Sequence, residues 1–222
     1  GSIINYVSIA EQLGLLKNVV RRKDGIIHRG GAALIFYNAL EAKPFVQKTY
    51  GANKEFKETG TLLELYHNIY VASGIVDGTY YLSFKNKTNA GEASIDGIIY
   101  DVGESAVNSF FGQYVKFMYK EDDNGIKTIL YVYAHPRKNN ILTVKSDDLI
   151  KDSSNFSRIY YYGESGRQEY ADINENAIIL RNGSYDDISL VNLIPSYGLI
   201  KFIDNDNDLI YDVVLITDYT LT

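Results

Sequence analysis

YVKFMYKEDDNGIKTILYVY, residues Tyr114–Tyr133, decides the fold class. Two runs of β-branched and aromatic residues flank an acidic tip that ends in Asn124-Gly125, the pattern of a β-hairpin. A second stretch, Ile200–Ile216, repeats it around Asp204-Asn-Asp-Asn-Asp208. The echo reads either as two related β units or as one hairpin chemistry used twice. Working outward, further short strands are expected at Thr79–Phe84, Glu92–Asp96, Ile98–Asp101, Ile141–Val144, Arg158–Tyr162 and Ala177–Arg181. The two hairpins contribute Tyr114–Lys120 with Thr128–Tyr133, and Leu199–Ile203 with Val213–Thr217. Asp96-Gly97 and Asn182-Gly183 supply further turns. Many short strands at this spacing predict a mainly antiparallel barrel or sandwich.

Upstream the periodicity changes. Tyr6, Ala10 and Leu13 share one helical face, and Gly14 is placed to end that helix. A second helix is expected from about Arg29 to Ala42, with Ala33, Phe36, Tyr37 and Leu40 as its buried stripe and Pro44 as its stop. Thr61 and Glu64 make a capping box for a third, whose stripe is Leu62, Leu65, Tyr66 and Ile69 and whose stop is Gly74. Phe45 to Gly60 is polar and reads as a loop with an extended piece. The fold class is therefore α+β: a small helical module over 1–75 and a β-rich region over 76–222, the latter divisible into units of about 76–140 and 141–222.

Composition agrees. Hydrophobic residues make up 45% of the 222, enough for a core, and 20 Tyr with 9 Phe favour half-buried strand faces. Charge is split: nine basic against six acidic residues up to Ile75, then thirteen against twenty-two. The overall charge of −6 speaks against a nucleic-acid partner. With no Cys, a disulfide framework, a thiolate metal site and a cysteine nucleophile are excluded. No apolar run reaches the ~20 residues that span a bilayer, so membrane insertion is not expected. The opening Gly1-Ser2 has the look of a tag remnant.

Tyr6-Val-Ser-Ile-Ala-Glu-Gln-Leu-Gly-Leu-Leu-Lys17, followed after a turn by His28-Arg-Gly-Gly-Ala-Ala-Leu-Ile-Phe-Tyr-Asn-Ala-Leu40, resembles an S-layer homology module. It is similar to the degenerate form found ahead of β domains in clostridial surface proteins, with Thr61–Tyr70 and Gly74–Val76 as further matching pieces. Over the β part the resemblance is carried by Ile95–Asp101 and Ile203–Val214. It implies an extracellular protein of the cell wall or S-layer, with anionic wall polysaccharide or other S-layer domains as partners. The family's ligand-gripping Arg maps to Arg29, while its Thr position is His28 and its acidic position Gly31. The function this implies is structural and non-enzymatic, with wall-polysaccharide binding as the alternative.

Two clusters carry candidate chemistry. Arg21, Arg22, Lys23 and Arg29, with the amides of Gly30 and Gly31, suit carboxylate or phosphate on a wall polymer, or form a solvated basic loop. Asp204, Asp206, Asp208 and Asp212 stand at positions one, three, five and nine of a calcium-type loop. Position six is Leu209 instead of Gly and position twelve is Leu215 instead of Glu, so the choice is weak Ca²⁺ binding or a plain polar hairpin tip. No other cofactor is expected. His28, His67 and His135 are scattered, and no nucleotide-loop, zinc-protease or nucleophile-elbow motif occurs. The acidic pairs Asp147-Asp148 and Asp186-Asp187 read as solvated turns, and alternation along Tyr160-Tyr-Tyr162 buries at least one ring.

Overall fold

The computed structural model describes residues 3–20, 25–49, 55–85, 87–184 and 193–219. The chain divides into two compact units, Gly1–Val71 with Lys120–Gly125, and Ala72–Tyr119 with Ile126–Thr222.

The first unit holds helices α1 (Ile3–Gln12) and α2 (Arg29–Glu41), the strands β1 (Phe45–Gln47) and β2 (Phe56–Glu58), and helix α3 (Leu62–His67). Gly14, at φ +74°, takes the chain out of α1 in the left-handed conformation that a side chain disfavours. Asn38 on α2 donates from its amide to the carbonyls of Leu15 and Lys17, tying α2 to the turn after α1. Pro44 and Thr59 close the antiparallel β1–β2 pair. The capping box is formed: Thr61 accepts from the Glu64 amide, and the Glu64 carboxylate accepts from the Thr61 amide.

Two expectations fail here. The α2 stripe is not buried, since Phe36 is 73% and Leu40 41% exposed and Ala33 is exposed with them. α2 is apolar on nearly every side, so its sequence does not say which side meets a neighbour. The third helix also stops at Asn68, which adopts the left-handed region at φ 54° and caps α3 through its own amide. Ile69 and Gly74 therefore lie on a strand, β3 (Ile69–Thr79). A helical spacing of apolar residues could not reveal that this β-branched run is claimed by a barrel.

The second unit contains two layers of sheet, each with its own core. β3, β4 (Glu92–Ile95), β5 (Ile98–Asp101), β6 (Tyr114–Glu121) and β7 (Lys127–Ala134) close into a barrel in the order β3-β4-β5-β7-β6. Its interior holds Val76, Ile95, Tyr100, Val115, Phe117 and Ile129, with the Tyr100 and Phe117 rings edge to face at 5.2 Å. Asp96 and Gly97 both have positive φ, the geometry that lets a two-residue turn match strand twist. Gly74 is buried, and a Cβ there would run into the Asp96 carboxylate, so this glycine serves a close approach within the barrel wall and no helix end. The strand expected over Thr79–Phe84 is absent. Thr79 instead traps a tight loop by bonding both the amide and the carbonyl of Leu82, a local side-chain bond that competes with a ladder.

The other sheet contains β8 (Asn140–Lys145), β9 (Leu149–Asn155), β10 (Arg158–Tyr162), β11 (Gln168–Arg181), β12 (Gly198–Asp204) and β13 (Ile210–Asp218). The order is β8-β12-β13-β11-β10-β9, antiparallel except between β11 and β13. One face buries Ile159, Ile173, Ile200, Phe202, Val214 and Ile216. The opposite face meets the barrel-side loop, where Gly112 at φ +80° lies over Ile203, Val213 and Leu215. At the ends of the parallel pair, buried Arg181 and Asp218 form an ion pair, and Asn182 bonds both the amide and the carbonyl of Asp218. Both acidic-tipped repeats are therefore strand pairs, β6–β7 and β12–β13, and the α+β reading with a barrel region is what the chain adopts.

Candidate functional site

Of the basic cluster, Arg21, Arg22 and Lys23 lie outside the described residues. Arg29 is the first residue of α2 and is exposed. His28 caps the helix with its backbone only, and the first helical bond in this turn runs from the Ala32 amide to the His28 carbonyl. The amides of Gly30 and Gly31 belong to the group that a helix leaves without an internal acceptor. A Cβ at Gly30 would meet nothing within 4 Å, so a ligand can approach that backbone closely. Gly31 differs: a Cβ there would lie 2.7 Å from Ile27 Cγ2, so its absence is used for packing.

The acidic loop is built around Asp204. This residue is 0% exposed at the end of β12. Its Oδ1 accepts from the amides of Asp206, Asn207 and Asp208 at 3.2, 2.6 and 3.3 Å, and its Oδ2 from Leu209 at 2.9 Å. A buried carboxylate needs such partners, and here one side chain is the template of the whole turn. Leu209 takes φ 75° in the place where the calcium pattern has Gly. Carboxylate oxygens of Asp204, Asp206 and Asp208 come within 4.8 Å of one another. Asp212 is engaged differently, accepting from the Asn205 amide at 2.9 Å and from Asn174 Nδ2 at 3.3 Å. Burial pushes the Asp212 carboxyl above the usual carboxylate range, and the negative charges of Asp206, Asp204 and Asp208 push it further.

The same loop forms one wall of a cavity of about 450 Å³ within the second unit. Asn205, Asp206 and Asp212 line it together with Tyr114 and Lys138, and Phe84, Ile75, Ile178 and Val213 add apolar lining. Four of the lining residues have an identifiable support. The β11–β13 register shifts between Ile173 and Ile178, which frees Asn174 and Asn176 from the ladder and turns them to this wall. Asn139 clamps Tyr114 by bonding its amide and its carbonyl, and Lys138 Nζ stands 5.7 Å from the Tyr114 ring centre. Sequence reasoning named Asp206 and Asp212 but missed the amides. The available signal was the Asn174-Glu-Asn176 run, which breaks the alternation of the strand before its apolar end Ala177–Leu180.

A second cavity, of about 770 Å³, is bordered by Asp148, Tyr161, Glu164 and Glu169. Tyr161 donates to Glu169 at 3.0 Å, and burial together with that bond raises its hydroxyl to about 12. Tyr161 is the buried ring of the Tyr160–Tyr162 run. Asp186 and Asp187 lie outside the described residues. No helix among the described residues is long and apolar enough to cross a membrane.

Comparison with protein-family models, with curated proteins and with solved structures finds no match for this chain.

Proposed function

We propose that this chain is a non-catalytic structural and assembly segment of a bacterial cell-surface protein of the S-layer type. The observation that carries the reading is the incomplete core of the helical unit. Among its described residues only Thr61 is buried, while Tyr6, Phe36, Tyr66 and Leu65 are 66%, 73%, 74% and 48% exposed. A domain that exposes this much apolar surface is matched to a partner. The resemblance to S-layer homology modules, which work in groups, supports neighbouring helical modules as that partner. The β body then serves as a spacer with its own two cores.

The test is solution behaviour. The chain is expected to bind a hydrophobic dye or to self-associate in sedimentation, and Phe36→Ser with Tyr66→Ser should abolish both without unfolding the β body. A monomer that ignores the dye refutes the reading. Wall-polysaccharide binding is the second reading. It is favoured by Arg29, exposed and without an ion pair among the described residues, beside the open backbone of Gly30. Retention on purified cell-wall sacculi that Arg29→Ala removes would make it the first.

A further inference from the structure

We infer that the cavity between the Asp204–Asp212 hairpin and Tyr114 is a binding site for an uncharged saccharide ring, independent of the helical unit and of Arg29. Its volume of about 450 Å³ falls within the range of small-molecule sites. The decisive residue is Asn205. It belongs to the cavity wall, is 5% exposed, and neither its Nδ2 nor its Oδ1 has a hydrogen-bond partner. A buried amide with both ends unmet is uncommon in folded proteins and calls for an explanation at the site where it occurs. It is relieved when the Asn205 side chain turns towards a cavity ligand that brings a donor and an acceptor together.

The neighbouring groups select among ligands of that kind. An anion would face the carboxylates of Asp206 and Asp212. A cation would leave the amide donor of Asn205 unmet and would face Lys138. A hydroxyl both donates and accepts, so a polyol meets the acceptors Asp206 and Asp212, the donor Lys138 and the two-sided amides of Asn174, Asn176 and Asn205 without residual charge. Phe84 and Ile178 offer an apolar surface to the C–H face of a ring. Asn176 is exposed and Asn174 uses only part of its capacity, on Asp212 and on the Asn176 amide.

The probes are methyl glycosides of glucose and of N-acetylglucosamine, titrated into the full chain to about 10 mM, tenfold above a ~1 mM dissociation constant. The readout is the side-chain amide resonances of Asn174, Asn176 and Asn205. Saturable shifts of these resonances with at least one glycoside are expected. Asn176→Ala, at an exposed position with no part in the core, should weaken the binding about tenfold, the effect of ~1.4 kcal/mol. Asn205→Ala should abolish it, with the melting temperature measured alongside so that unfolding is recognised. The inference is overturned if neither glycoside gives a saturable shift, if Asn176→Ala binds as the parent does, or if calcium chloride shifts the same amides and the glycosides do not. Arg29→Ala should leave the titration unchanged, which separates this outcome from that of the wall-binding reading.

Discussion

Removing the Asp204 carboxylate tests whether one buried side chain organises the acidic hairpin. In Asp204→Ala four backbone amides lose their acceptor, two of them in short bonds of 2.6 and 2.9 Å from Asn207 and Leu209. A hydrogen bond to a charged acceptor contributes ~1.5–3 kcal/mol. The residues from Asp206 to Ile210 are exposed, so water recovers part of that, and the two longer bonds add little. The net loss is about 2–4 kcal/mol, which lowers the melting temperature of a body of this size by roughly 4–16 °C. Asp204→Asn should fall between parent and Ala, because it retains one acceptor and turns a donor towards another N–H. The assay is thermal unfolding followed by near- and far-ultraviolet circular dichroism, with and without calcium. The turn is complete through its own amides, so ~10 mM Ca²⁺ should leave the parent within about 1 °C. A change below about 2 °C in Asp204→Ala would refute the template argument. A calcium-dependent rise that Asp206→Ala abolishes would instead make the three clustered carboxylates a metal site.

Other consequences follow from buried charge. Asp218→Ala removes the carboxylate paired with the buried Arg181 guanidinium and should cost ~3–5 kcal/mol, seen as a large fall in the urea midpoint. Tyr161 has its hydroxyl raised from 10.0 to about 12, so the folded state holds this proton more tightly than the unfolded chain does. Its stability contribution is complete below pH 10 and is lost as pH rises towards about 12; Glu169→Gln should bring the phenolate transition at 295 nm to lower pH. Lys201 is lowered by burial, so the folded state releases its proton more readily. Stability should therefore rise with pH between that lowered value and 10.5, and Lys201→Met should raise the melting temperature by about 2 °C or more and flatten this slope.

Local chemistry was legible along the chain. The capping box at Thr61 and Glu64, the exit at Gly14, the turn at Asp96-Gly97 and both acidic-tipped hairpins are short-range events, decided by residues within a few positions of one another. Alternating β-branched and aromatic residues were likewise sufficient for most strands, because one face of each is buried. The candidate site was half legible: Asp204, Asp206, Asp208 and Asp212 stand out by spacing, and Asp206 and Asp212 line the cavity, whereas Tyr114, Lys138 and Asn174 reach that cavity from distant stretches and carry no local mark.

Long-range pairing decided the rest. Ile69–Val71 continues a helical spacing but is drawn into β3, because barrel closure offers that segment hydrogen-bonded neighbours that an isolated helix end lacks. Gly74 looks like a stop signal, yet its missing side chain makes room for Asp96, some twenty residues on. β11 and β13 run parallel, a choice no hairpin turn can encode, and the register shift in that pair is what brings Asn174 and Asn176 to the cavity. The face of α2 that stays in water could not be read, because a helix apolar on nearly every side gives little direction to its burial. Turns and caps act through bonds closed within a few residues, so the sequence determines them alone; pairing order, register and the assembly of the cavity depend on which distant backbones supply the missing hydrogen bonds.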